Sequence, residues 1–242
     1  MVKAEKLNYY KNLEWFKELK QTKKEITRIL FVCSGNTCRS PAAEYSFNQM
    51  VPYASHTIAF SRGMNVITTL NKINEIRASK RLEPIPSIEI EPETAKVLGI
   101  KIGNGLPEDL AKIHTAKQIQ EKDIIEASLI LTIDKSIRNQ LRGNYPKYAS
   151  KIFTLKGFTN QIESGNLDIG TDEVDLDIVN PFIDRRTREN ERITSKNQGQ
   201  TLDGKGKYYE YIKRYIKIFE EIRTYTRIVV EVVFLLNTQE LR

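Results

Sequence analysis

The chain has 242 residues, 40% hydrophobic and 29% charged, with a net charge of +7; this suits one large or two small globular domains and excludes collagen-like, low-complexity and disulfide-scaffold classes. No apolar run approaches the roughly 20 residues of a membrane span, the N-terminus lacks an apolar signal core, and two cysteines, Cys33 and Cys38, point to a reducing compartment or a reactive thiol. The basic excess lies in the flanks, where residues 1–28 carry 8 basic and 4 acidic side chains and residues 185–242 carry 13 and 8. A cytoplasmic protein with no membrane partner is expected.

Residues 4–24 are predicted to be helical, with Leu7, Tyr10, Leu13, Phe16 and Leu19 at three-residue steps and no Gly or Pro. They form an N-terminal extension, 1–25, ahead of a domain spanning 26–242. The flank charges alternate in sign, as in Lys17-Glu18, which marks a solvated helix face rather than a nucleic-acid track. Ile29 to Val32 is a short apolar run typical of a buried strand, followed by a turn and a helix start at Ser40-Pro41. Further strands are predicted at 56–61, 129–133 and 152–155, with helices at 91–98, 117–127 and 135–142. A last amphipathic helix, 207–223, carries Tyr208, Ile212, Tyr215, Phe219 and Ile222 on one face. Residues 71–90, with two prolines, and the charged run 184–206 are predicted to be insertions or mobile loops. Strands alternating with helices predict an α/β fold with a mainly parallel sheet covered on both faces.

The chemistry lies in Cys33-Ser34-Gly35-Asn36-Thr37-Cys38-Arg39-Ser40, between the first strand and its helix. A loop of this length can wrap one phosphate with backbone N–H groups, and the helix start adds positive potential. Gly35 can take the positive φ such a loop needs, and Asn36 tolerates it better than most residues. Arg39 can grip two phosphate oxygens through its planar fork. The same field favours a thiolate at Cys33, to which Ser40 can donate a hydrogen bond. A thiolate held beneath a phosphate is a nucleophile placed for in-line attack on phosphorus.

This stretch resembles the signature of the low-molecular-weight protein tyrosine phosphatase family, in which Cys, Gly-Asn and Cys-Arg-Ser-Pro recur at these spacings near the first strand. Phe60-Ser61-Arg62-Gly63, Ala127-Ser128-Leu129-Ile130-Leu131 and Ile152-Phe153-Thr154-Leu155 resemble later strand segments of the family. The resemblance implies a four-stranded parallel sheet flanked by helices, here with an extra N-terminal helix and two insertions. It implies Cys33 as nucleophile through a phosphocysteine, Arg39 as oxyanion clamp, and Asn36 and Ser40 as residues that shape the loop. It also implies a reversible Cys33–Cys38 disulfide.

The family's general acid is an Asp before Pro and an aromatic residue. Here Asn180 stands in that place, before Pro181 and Phe182, and an amide neither gives nor takes a proton at neutral pH. Asp177 or Asp184 can substitute, the Asn can be an engineered trap, or the chain can be a phosphate-binding pseudophosphatase. Phe182 is expected to wall the pocket. Thr37 resembles the arginine-phosphatase branch of the family, so phosphoarginine stands second to phosphotyrosine. Expected partners are a phosphorylated protein or a small aryl phosphate. No metal or cofactor is required, and His56 and His114 lack any ligand-spaced partner.

Overall fold

Strand β1 (Arg28–Cys33) is an inner strand of a parallel sheet ordered β2-β1-β3-β4, with β2 (Ile58–Gly63), β3 (Leu129–Thr132) and β4 (Ile152–Thr154). The computed structural model describes residues 17, 26–51, 56–102, 114–164, 177–179 and 204–239. β1 pairs with β2 in a register that sets Cys33 beside Gly63, and with β3 so that Val32 lies beside Thr132. The chain leaves β1 for β2 on one side and returns as β3 on the other. The carboxyl end of β1 is therefore the switch point at which open α/β sheets bind ligands.

The two-residue period of β1 divides the core into two halves. Ile29, Phe31 and Cys33 face one cluster, built with α1 (Arg39–Met50), α3 (Pro92–Ile102), α6 (Leu155–Ser164) and α7 (Gly204–Gln239). Leu30 and Val32 face the other, built with α4 (Glu121–Glu126) and α5 (Lys135–Asn144). A strand buried on both faces reads as a continuous apolar run, which is why Ile29 to Val32 was legible. Helix α7 buries Tyr215, Phe219, Ile222, Val229 and Val233 against α1, α3 and α6. At its far end the Asn237 side chain accepts from the Ile26 N–H and donates to the Ile26 carbonyl, fixing the approach to β1.

Three elements differ from expectation. Residues 66–79 form a helix, α2 (Val66–Ser79), where residues 71–79 were expected to be loop. The chain returns along α2, and Asn74 holds it by donating to the Ile85 carbonyl and accepting from the Ile85 N–H. The helix expected at 117–127 begins only at Glu121, because Gln118 is drawn into a parallel bridge with Gly63. Helix α7 runs to Gln239, not 223. The N-terminal helix expected at 4–24 lies outside the described residues apart from Lys17, which is helical, and so does 184–203 of the charged run; its last residues, 204–206, expected to be loop, are the first turn of α7. Among the described residues, no helix is long and apolar enough to cross a membrane.

Candidate active site

The loop from Cys33 to Ser40 joins β1 to α1 at the switch point. A trans peptide unit points its C=O and its N–H in opposite directions, so a carbonyl tied down outside a loop aims the following N–H inward. Five carbonyls of this loop are tied down. Those of Cys33 and Ser34 accept from the N–H groups of Met64 and Asn65, at 3.0 and 2.9 Å. Those of Thr37 and Cys38 accept from Glu91 and Ala42, each at 3.0 Å. The Asn36 carbonyl accepts from His114 Nε2 at 2.8 Å. The N–H groups of Ser34, Gly35, Thr37, Cys38 and Arg39 are thereby turned to the enclosed side, beside the positive end of the α1 dipole. Such a ring of donors can hold a tetrahedral anion.

Cys33 ends β1 with its sulfur 3.0 Å from Ser40 Oγ, and the Asn36 N–H donates to the same sulfur at 3.3 Å. Asn36 is the structural centre of the loop. It is fully buried, and its Nδ2 donates to Ser40 Oγ at 3.1 Å and to Ser61 Oγ at 2.8 Å. Its Oδ1 accepts from the Lys117 N–H at 2.9 Å. Of the two residues able to take a positive φ, it is Asn36, at φ 54°, that does so, and not Gly35. Asn tolerates this region through its short polar side chain, and here three side-chain hydrogen bonds hold it there. Thr37 is partly exposed on the loop, and Ser34 Oγ accepts from Asn65 Nδ2.

Arg39 is 6% exposed. Its Nη1 donates to the Ile178 carbonyl at 2.8 Å and lies 3.6 Å from Asp134 Oδ2. Asp134 caps α5 with its other oxygen, accepting from the Ile137 N–H. The Ile178 N–H donates to the Ile133 carbonyl, so residues 177–179 continue past the end of β3 and lie against Arg39. Asp177 Oδ1 accepts from the Lys135 N–H at 2.6 Å, at the start of α5. Asn180, Phe182, Asp175 and Asp184 lie outside the described residues.

Around this centre stand residues the motif did not reveal. Ser61 donates to Glu44 Oε2 at 2.5 Å and accepts from Asn36, passing the loop's hold to α1. Burial pushes the Glu44 carboxyl up, against the hydrogen bond from Ser61 and the charges of Arg62 and Lys117. Arg62 itself is paired with the buried Asp123 at 3.0 Å. Gly63 touches the loop so closely that a Cβ there would lie 2.8 Å from the Ser34 carbonyl oxygen and 2.9 Å from the Asn36 nitrogen. A glycine ending a strand beside a ligand loop is the available signal for such an approach. Cys33 and Cys38 are both buried free thiols, and burial pushes the Cys38 thiol far up. Among the described residues no group of three or more His, Cys, Asp or Glu side chains is arranged to hold a metal ion.

His114 is the buried histidine that carries the Asn36 carbonyl. Burial lowers its pKa, with the Asn36 hydrogen bond opposing and the Lys117 and Arg62 charges adding to the fall. The unfolded chain therefore takes up the proton first as pH drops. The sign is that His114's contribution is complete above about pH 6.5 and is lost as the pH falls below that value. Chemical denaturation of wild type should show this loss, and His114→Gln should flatten that part of the profile. Equal slopes in the two proteins would show that His114 titrates alike folded and unfolded.

The sequence profile described as Low molecular weight phosphotyrosine protein phosphatase matches residues 28–77 and 90–181, more than half of the chain. A low molecular weight protein-tyrosine-phosphatase, PtpB of Staphylococcus haemolyticus, is 31% identical over 155 residues, covering 64% of this chain and 81% of that one. A protein-arginine-phosphatase of Bacillus subtilis is 27% identical over 148 residues, covering 61% of this chain and 83% of that one. A low molecular weight protein tyrosine phosphatase from T. tengcongensis, known from its crystal structure, superposes with a TM-score of 0.53 at 25% identity, over 85% of this chain and 98% of that one. The matched range holds the parallel sheet, the loop at its switch point and the segment lying against Arg39. The chain belongs to the low molecular weight phosphotyrosine protein phosphatase family of cysteine-dependent enzymes.

Proposed function

We propose that this protein is a cytoplasmic phosphatase that hydrolyses phosphotyrosine in proteins through a phosphocysteine on Cys33. The observation that carries the reading is the Cys33 sulfur, which meets Ser40 Oγ and the Asn36 N–H at the base of a loop whose carbonyls are held outward. A sulfur held in this way at the floor of the loop is placed to act as the nucleophile. The inward N–H groups and Arg39 bind the phosphoryl oxygens. The thiolate attacks phosphorus in line with the ester oxygen, the P–S bond forms, and the P–O bond breaks toward the leaving group. Water then attacks the phosphocysteine, releasing phosphate and regenerating the thiolate.

Both steps need a proton carrier, for the departing oxygen and then for the attacking water. Asn180 cannot serve, so turnover is slow and the bound phosphoprotein is long-lived. Asp177 is the substitute nearest in sequence among the described carboxylates, and its role at the start of α5 competes with that duty. Phe182 lines the pocket. Cys38, a protonated thiol in the same buried cluster as Cys33, is the partner for a protective disulfide when an oxidant converts the Cys33 thiolate to a sulfenic acid. The domain is bounded as 26–242, with 1–25 an extension and the stretches near 71–90 and 184–206 insertions.

Phosphoarginine is the second reading, favoured by Thr37 and by the likeness to a protein-arginine-phosphatase. A hydroxyl at this position can orient a polar leaving group. The test is release of phosphate from a phosphotyrosine peptide and a phosphoarginine peptide, with Cys33→Ser as the blank. Release that survives this substitution refutes the mechanism. Tight phosphate binding without release assigns the chain to the phosphate-binding pseudophosphatases.

A further inference from the structure

Helix α7 reaches the phosphate loop through two residues that neither the motif nor the chemistry above uses. Tyr215 on α7 is fully buried, and its hydroxyl donates to Glu91 Oε2 at 2.9 Å. Its ring is locked edge-on against Phe219, with centroids 5.9 Å apart and planes at 76°. Glu91 immediately precedes α3, and its N–H is the group that ties down the Thr37 carbonyl at 3.0 Å. The Thr37 carbonyl and the Cys38 N–H belong to one peptide unit, so holding the first fixes the aim of the second. Glu91 also brings a carboxylate close enough to the loop to act on the Cys38 thiol by charge. A negative group beside an anion site is unfavourable unless a donor satisfies it elsewhere, and Tyr215 supplies that donor from the α7 side.

We propose that Tyr215 and Glu91 are positioning residues through which α7 sets the inward aim of the Cys38 N–H and thereby the phosphate affinity of the loop. The inference rests on the reading of this loop as an oxyanion site. The contact is made with bound phosphate and with the transition state alike, so its loss raises KM and leaves kcat in place.

The experiment titrates the full-length protein with inorganic phosphate by calorimetry and measures aryl phosphate kinetics in parallel. Tyr215→Phe is expected to weaken phosphate binding about three- to tenfold, to raise KM in proportion, and to change kcat by less than about twofold. Glu91→Gln keeps an acceptor for the hydroxyl and should bind phosphate at least as tightly as wild type, whereas Glu91→Ala should reproduce the Tyr215→Phe defect. Combining Tyr215→Phe with Glu91→Ala should add nothing further. Wild-type affinity in Tyr215→Phe overturns the proposal, and so does a Glu91→Gln protein as weak as Glu91→Ala. If wild type itself binds no phosphate, the reading of the loop fails first and takes this inference with it.

Discussion

Replacing Asn180 with Asp is expected to raise kcat/KM for an unactivated aryl phosphate by about 10²–10⁴-fold. The range is what a well-placed general acid contributes, and the described carboxylates near the loop are already engaged. Asp134 divides its oxygens between the Ile137 N–H and Arg39. Asp177 accepts from the Lys135 N–H. Withdrawing either would uncap α5, at a cost of about 0.5–2 kcal/mol. The gain should be largest for phenyl phosphate and smaller for p-nitrophenyl phosphate, whose leaving group departs without a proton. Steady-state rates for the two esters in wild type and Asn180→Asp decide the matter. Equal rates in the two proteins would place the proton carrier at Asp177 or Asp184, and whichever of Asp177→Asn and Asp184→Asn removes turnover would identify it.

Gly63→Ala is expected to damage the enzyme more than its distance in sequence from the motif suggests. The added methyl would meet Ser34 O at 2.8 Å, Asn36 N at 2.9 Å and Val66 Cγ2 at 2.6 Å. The valine can rotate away; the other two are main chain of the Cys33–Ser40 loop and must move by several tenths of an ångström. Overpacking of this kind costs about 1–3 kcal/mol, and a loop shifted by half an ångström loses about tenfold or more in kcat/KM. Gly35→Ala is the control for stability. Its Cβ would meet Thr37 Oγ1 at 3.4 Å, and Gly35 lies outside the left-handed region. Thermal melts should therefore show Gly63→Ala lowered by roughly 2–4 °C per kcal/mol of strain and Gly35→Ala nearly unmoved. A Gly63→Ala protein with wild-type melting and wild-type kinetics would mean that the close approach to the loop is not maintained in solution.

The parts of the fold legible in sequence were those where local pattern and burial agree. Ile29 to Val32 is buried on both faces, and an apolar run can report that. Helix α2 was not legible because Ile67, Thr68, Thr69 and Ile73 are β-branched and disfavour helix, and because its packing partner is its own polar return strap. The extension of α7 past residue 223 was hidden for the same reason. Thr224, Thr226, Ile228, Val229, Val230, Val232 and Val233 are β-branched and disfavour helix, yet burial of most of them against the sheet's helical layer overrides propensity. Helix α6 starts immediately after β4 and carries Gly157, so no break announces it.

At the site, Cys33 to Ser40 could be read because the motif carries its own chemistry. Residues acting on the loop from elsewhere in the chain could not. His114 serves the Asn36 carbonyl 78 positions away, and Asp134 serves Arg39 from the next strand end. That Asn36 rather than Gly35 takes the positive φ follows from the side chain: only Asn brings the hydrogen bonds that hold it there.

A synthetic octapeptide spanning Cys33 to Ser40 would contain the whole loop and almost none of the groups that orient it. The orienting groups come from residues 61–65, 91, 114 and 178, with Tyr215 behind them. The cradle is thus an emergent product of chain closure, assembled only when segments far apart in sequence have met.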